Sequence, residues 1–340
     1  MKNVRLEDIA KRLNITKVSV SKALRDYPDI SVETRRKVKK LAREMGYRPN
    51  LQARSLASSK TKTVGVIVPK IAHYFFSPTI EGIYRAAQES GYKVIIGISL
   101  EDETLQKEHI ESMMDMRVDG LLVSLSEKTT DTEVFEDVRR MGIDLVFFDR
   151  GISGSGFSYV RVEDRKAAKK AVSHLTGLGY CDIAHISGYQ TSEIGKDRKL
   201  GFLDAMEEAG LDVPDSSFVE SGFGEEDGYF AMEKLLDQRE LPEALFAVTF
   251  PVGLGVLQFM QQNNIDPARV QILTFGGSNF NWALKSPFLC SHQPTIDLGK
   301  RAFSQLLEEM KSDKEQKPKL VEIPAGEIEE DPSPSYTRSG

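Results

Sequence analysis

Lys17, Val18 and Lys22 lie in the segment ITKVSVSKAL, where two ammonium groups and a branched apolar side chain follow a threonine able to start a helix. These residue types can read duplex DNA. A lysine donates to guanine O6 and N7, a valine packs on the thymine methyl, and a good specific contact is worth roughly 1 to 3 kcal/mol. Ser21 and Tyr47 carry hydroxyls suited to phosphate oxygens. Cys181 with His185 and Cys290 with His292 are metal-ligating types, but their spacing on strand-like segments favours core or surface positions, so no metal is expected. Enzyme motifs are missing. Gly253-Leu254-Gly255 follows a strand-like run without the third glycine of a dinucleotide fingerprint, and there is neither a G-x-x-x-x-G-K-S/T loop nor an H-E-x-x-H helix. No catalytic residue and no cofactor are expected.

The elements that must position these residues are short helices. Leu6, Ile9, Ala10 and Leu13 fall at helical spacing, the pattern breaks at Asn14, and Val20, Ala23 and Leu24 resume it. Asn14 tolerates the left-handed turn this break demands, and the Thr16 hydroxyl is placed to cap the second helix. A third helix is expected after Ser31, with Glu33 in its positive first turn, and should stop at Gly46. This is helix-turn-helix spacing, in which the second helix enters the major groove and Lys17, Val18 and Lys22 meet base edges. A plain helical bundle is the competing reading, opposed by the Lys, Ser and Thr residues between the apolar positions.

Charge is segregated in the same way. Residues 1–62 hold 17 Lys or Arg against 6 Asp or Glu, a formal +11, while the rest holds 28 against 45, or −17. A basic head on an acidic body is drawn to a polyanion, nucleic acid first; an anionic membrane surface and a merely solvated helix face are the alternatives.

At 340 residues, with 40% hydrophobic and 28% charged, the chain has the size of two or three soluble domains. No run approaches the 18 or so apolar residues of a membrane span, the start MKNVRLEDIAKRL has charges where a signal peptide has its apolar core, and Cys181 and Cys290 are the only cysteines. A cytoplasmic protein with no membrane partner is expected. From Val64 onward, TVGVIV, YKVIIGIS, DGLLVS, DLVFFD, DIAHIS, ALFAVTF and VQILTF alternate with amphipathic segments such as 79–90 and 297–310. That alternation predicts parallel sheets in an α/β body, with any ligand at the carboxyl ends of the strands.

The segment RLEDIAKRLNITKVSVSKALRDYPDISVETRRKVKKLAREMGYRPNLQARSLASSKTKTVGVIVP resembles the head and hinge of the LacI/GalR family, the lactose-repressor-like bacterial regulators. The resemblance continues with weaker motifs to about residue 310. It implies a helix-turn-helix head (1–48), a hinge (49–61), and a two-lobed body of periplasmic-binding-protein type built on two doubly wound parallel sheets. Its first lobe would comprise 62–160 with 291–320, its second 161–290 with 321–340, and the chain would cross near 161, 290 and 320. Residues 50–58 would fold as a helix on the operator. Asn50 and Ala53 would join the DNA contacts, and Leu56 would wedge into the minor groove, favouring a kinkable central step such as CG. Two head positions depart from the pattern: Asn14 is usually glycine, and Lys22 is often arginine, which exchanges a fork for a point charge.

The resemblance further implies a sequence-specific transcription regulator, most simply a repressor. It would be a homodimer on palindromic double-stranded DNA, controlled by a small effector held between the lobes. The residues matching the effector pocket are Tyr74, Phe76, Asp149, Arg150 and Arg198. Thr249 with Phe250 stands where the family usually has Asn-Asp, and Gly276 with Gly277 where it usually has acid, so two sugar-binding groups are missing. Arg150, Arg161, Lys196 and Arg198 stand as pocket cations, which adds a sugar phosphate or sugar acid to a plain sugar as candidate effectors. The segment after Met310 has no leucine heptads, so no tetramerising helix is expected. The rival readings are a cytoplasmic solute-binding protein and a sugar-processing enzyme with an appended basic domain.

Overall fold

The computed structural model describes residues 4–47, 60–72, 74–127, 129–277, 281, 284, 288–312 and 317–329. The chain divides into two units, Met1–Thr61 and Lys62–Gly340.

Among its described residues the first unit holds three helices: α1 (Leu6–Leu13), α2 (Lys17–Leu24) and α3 (Val32–Glu44). Ile9 and Ala10 of α1, Val20 and Ala23 of α2, and Val38 and Ala42 of α3 close one small core. Asn14 adopts φ 52° and ψ 45°, the left-handed conformation that reverses the chain between α1 and α2. The Thr16 hydroxyl accepts the Ser19 N–H at 3.0 Å, and the Ser31 hydroxyl accepts that of Thr34 at 3.2 Å, so α2 and α3 are both capped. Gly46, at φ +68°, follows the end of α3.

The second unit has two six-stranded sheets. The first contains β1 (Thr63–Val68), β2 (Lys93–Ile98), β3 (Gly120–Val123), β4 (Asp144–Phe148), β5 (Ser158–Val162) and β11 (Leu320–Ile323), in the order β11-β5-β4-β3-β1-β2 and all parallel. The second contains β6 (Ile183–Ser187), β7 (Phe218–Glu220), β8 (Ala244–Ala247), β9 (Gln271–Phe275), β10 (Leu289–Ser291) and β12 (Ile328–Glu329), in the order β12-β10-β9-β8-β6-β7, with β12 antiparallel. Both sheets are covered on both faces, which is why their strands read as continuous apolar runs.

In the first sheet, Val64 and Val66 face α4 (Phe76–Glu89) and α11 (Thr295–Lys311), while Ile67 faces α5 (Glu103–Asp115) and α6 (Glu133–Arg140). In the second, Leu245 and Ala247 face α9 (Glu225–Gln238) and α10 (Phe250–Gln262), while Phe246 faces α7 (Asp164–Gly177) and α8 (Glu193–Glu208). The α4–α11 crossing depends on two glycines: a Cβ on Gly82 would lie 2.2 Å from the Ile296 carbonyl, and one on Gly299 2.1 Å from that of Thr79.

Strand pairing locates the crossings within three residues of 161, 290 and 320. Val162 still belongs to the first sheet, Ser291 still pairs with Phe275 in the second, and Ile323 pairs with Val162 in the first. The chain therefore crosses after 162, 291 and 323, and residues 321–323, expected in the second lobe, extend the first sheet instead. The ladder continues for as long as each residue finds a partner, and family boundaries do not record that. Among the described residues no helix is long and apolar enough to cross a membrane.

Candidate DNA-reading surface and interlobe cavity

The first turn of α2 is open to solvent. Val18 is 63% exposed. Lys17 donates to Glu7 Oε1 at 2.6 Å, and Lys22 is ion-paired with Asp29. The Lys17 bond and charge hold the Glu7 carboxyl below its ordinary value. Ser21 lies one turn on, its hydroxyl accepting from Arg25 Nη2 at 3.0 Å. Tyr47 packs its ring on the head's core, and burial pushes its phenol up. The expected readers thus share one exposed helix, while their acidic partners went unforeseen because separations of ten and seven residues match no helical pairing. Asn50, Ala53 and Leu56 lie outside the described residues.

The body contains a cavity of about 560 Å³ at the carboxyl ends of both sheets. Its wall gathers loops that follow several strands of each sheet, β1 and β8 among them, which flank the β1/β3 and β6/β8 switch points where doubly wound sheets open a crevice. Tyr74 and Phe76 follow β1, Asp149 and Arg150 follow β4, Phe223 follows β7, Thr249 and Phe250 follow β8, Gly276 follows β9, and Arg198 comes from α8. Tyr74 of the first lobe meets Phe250 of the second edge-to-face, with centroids 5.2 Å apart. Phe223, Phe275 and Gln293 also line the wall and were not foreseen, although each stands at or just beyond a strand end.

The charged groups are tightly held. Asp149 has φ +60°, a left-handed conformation rare outside glycine, and its carbonyl accepts the Tyr159 hydroxyl at 2.7 Å. Burial pushes the Asp149 carboxyl up to about 7, against the opposing pull of Arg150 and Arg198. Arg150 donates through Nη1 to both Glu101 oxygens at 3.0 Å, with Glu127 3.6 Å from Nη2 and Asp149 4.0 Å from Nε. Burial alone would lower the Arg150 guanidinium; Glu101, Asp149 and Glu127 together raise it. Arg198 donates to Asp164 Oδ1 at 2.8 Å and to the Val248 carbonyl at 2.6 Å, and lies 4.0 Å from the centre of the Phe275 ring. Thr249 caps α10 through its hydroxyl, which also donates to the Phe223 carbonyl at 2.8 Å. Gly276, at φ +70°, brings bare backbone to the wall.

Two expected cations are absent from the wall. Arg161 is engaged by Glu193 and Asp197, each at 3.1 Å, and by Glu322 at 2.8 Å, so it ties β5 to α8 and β11. Lys196 is exposed; two residues before Arg198 on the same helix, it points about 200° away from it. Among the described residues no His, Cys, Asp and Glu cluster is arranged to hold a metal. Cys181 is exposed and Cys290 buried, and His185 is stacked between Phe202 and Phe246.

Residues 5–50 match the bacterial regulatory proteins of the lacI family, and residues 64–308 match a periplasmic binding protein domain. The chain is 31% identical over 310 residues to catabolite control protein A of Priestia megaterium, covering 91% of this chain and 93% of that protein. It is 30% identical over 327 residues to the HTH-type transcriptional repressor PurR of Salmonella newport, covering 93% and 95%. The solved lac repressor dimer, bound to operator and an anti-inducer, aligns with a TM-score of 0.82 at 18% identity, covering 96% of this chain and 98% of that one. A complex of the transcriptional regulator CelR with cellobiose aligns at 0.70 and 23%, covering 95% and 98%. At those identities the two structures are similar in fold.

Proposed function

The chain belongs to the lacI family of bacterial regulatory proteins, and from that premise we propose that it is a cytoplasmic transcriptional repressor. It acts as a homodimer, reading a palindromic operator with two heads. Lys17, Val18 and Lys22 read bases from α2, whose entry Thr16 fixes, while Ser21 and Tyr47 hold phosphates. Asn50, Ala53 and Leu56 complete the contact, with Leu56 as the wedge at the operator centre. The observation that carries this reading is the head itself: a closed three-helix core that leaves Val18 and its two lysine neighbours at the surface of one capped helix.

The interlobe cavity is the effector site and catalyses no turnover. Its aromatic wall, with a few placed polar groups, suits a small carbohydrate-like ring, and cellobiose in the CelR complex supports that class. Tyr74, Phe76, Asp149, Arg150, Arg198, Thr249 and Gly276 are its contacts. Effector and operator binding are then coupled, each altering the other's affinity by the same factor.

The test is selection of the full-length protein on random duplex DNA near physiological salt, since such affinities depend steeply on salt. An enriched palindrome with a CG-type centre is expected. Absence of enrichment, both with and without a pool of cell metabolites, would overturn the reading.

A further inference from the structure

Both guanidinium groups in the cavity wall are already met by the protein, Arg198 by oxygens within 2.8 Å of every nitrogen and Arg150 by hydrogen bonds from Nη1, with carboxylates at 3.6 and 4.0 Å from its other two nitrogens. Arg198 faces Asp164 through Nε and Nη2, at 2.8 and 2.7 Å, and the Val248 carbonyl through Nη1. Arg150 faces Glu101, Glu127 and Asp149 through Nη1, Nη2 and Nε. Two cations therefore meet four carboxyl groups. Glu101 and Glu127 are not part of the wall itself; they stand behind Arg150, and its guanidinium lies over the Phe76 and Phe223 rings at 5.9 and 5.2 Å.

Glu101 is held in place deliberately. Leu100 and Glu101 are consecutive left-handed residues, at φ 52° and 61°, and neither is glycine. Such backbone persists only where its surroundings enforce it. Here the conformation is accompanied by Glu101 Oε2 accepting the Glu127 N–H at 2.9 Å, while both oxygens face Arg150. Glu127 is itself buried enough that its carboxyl is pushed up, even beside Arg150.

We propose that Glu101 and Glu127 are specificity-determining residues of the interlobe site: by neutralising Arg150 from behind, they exclude phosphates and carboxylates and restrict the effector to an uncharged, hydroxyl-bearing ring. This rests on reading the cavity as the effector site. An anion entering it would have to displace a carboxylate that grips Arg150 at two oxygens, or remain beside it in a poorly screened interior. A neutral ring meets neither penalty in a cavity lined by Tyr74, Phe76, Phe223 and Phe250.

The test uses the full-length protein, with Glu101→Gln and Glu127→Gln introduced singly and together; the singles keep the test open should the double variant not fold. Neutral hexoses and hexosides, the matching 6-phosphates and the matching hexuronic acids are titrated by calorimetry. Wild type should bind a neutral member, and the substitutions should shift the anion-to-neutral affinity ratio at least tenfold toward the anion. An unchanged ratio, or a wild type that prefers the anion, overturns the proposal. Inorganic phosphate provides a second arm that needs no effector. It should raise the thermal midpoint of the variants beyond a matched chloride control, and adding Arg150→Gln should abolish the gain. Equal stabilisation of wild type by phosphate overturns the charge clamp. If the phosphate arm behaves as expected while no sugar binds, the clamp stands and the carbohydrate reading fails.

Discussion

The head and the body both hold basic side chains in carboxylate pairs, but at opposite extremes of solvent access. The Lys17–Glu7 side chains are 59% and 49% exposed; those of Arg198 and Asp164 are 4% and 5% exposed. In water such a pair is weak and readily exchanged, because solvent screens both charges and two long side chains must be held still. In the interior, neither charge can be left alone without a large desolvation penalty. A surface that must trade its acidic partners for nucleic acid needs the first kind of pair. A cavity that must keep its shape before its ligand arrives needs the second.

The largest effect that separates these cases is on stability. Arg198→Ala leaves Asp164 buried opposite no cation and removes the donor to the Val248 carbonyl, so the body should lose about 3 to 5 kcal/mol, read by denaturant unfolding. Lys17→Ala should leave unfolding within a few tenths of a kcal/mol of wild type, as surface substitutions usually do. Equal losses for the two variants would break the comparison.

A second effect comes from two buried groups within the body. His185 donates through Nδ1–H to the Phe246 carbonyl at 2.8 Å, and burial drives its imidazole down to about 3. The unfolded chain takes up a proton at His185 below about 6.5, which the folded chain refuses until about 3, so its stabilisation is lost as pH falls through that window. Asp149 acts in the opposite sense. Its folded value of about 7 lies above the unfolded 3.8, so its contribution is full below 3.8 and is lost as pH rises to 7. Between pH 4 and 6.5 the two slopes, each about 1.4 kcal/mol per unit, offset one another. His185→Leu should therefore expose a stability that falls with rising pH, and Asp149→Asn one that rises. Urea midpoints measured across that range check both signs; parallel curves for the two variants would remove these groups from the account.

The third effect is on recognition. Lys17→Ala should cost about 1 to 3 kcal/mol at one operator position and little on random duplex, because a base contact specifies whereas phosphate contacts position. Binding assays on single-base operator variants locate the position. A uniform loss across all sequences would make Lys17 a phosphate contact.

What could be read in advance follows from the range of each interaction. The head was legible because its core repeats every three or four residues and its caps, Thr16 and Ser31, act on amides three positions on. The cavity's location was legible because doubly wound sheets bind at strand ends, and Tyr74, Asp149 and Thr249 stand there. The partners of its cations were not. Arg150 reaches Glu101 across 49 positions and Arg198 reaches Asp164 across 34, distances over which no periodicity links the residues. Arg161 and Lys196 were misplaced for the same reason: residue type and strand position do not record which carboxylates the fold brings near. Leu100 and Glu101 gave no warning either, since a left-handed pair is anticipated only where glycine or asparagine stands.

The smallest effect probes the exposed pairs directly. Glu7 and Asp29 lie against Lys17 and Lys22 while the head is free, so each sets a negative charge beside the reading helix that any duplex must approach. At an operator that repulsion is overcome by base contacts; on random duplex there is less to offset it. Glu7→Gln and Asp29→Asn should therefore raise nonspecific affinity a few-fold each, steepen its salt dependence, and change operator affinity less, which lowers the ratio between the two. Titrations of random duplex at two salt concentrations measure all of this. If nonspecific affinity stayed at the wild-type value in both variants, the exposed pairs would be passive surface chemistry, and the contrast between head and body would rest on the buried pairs alone.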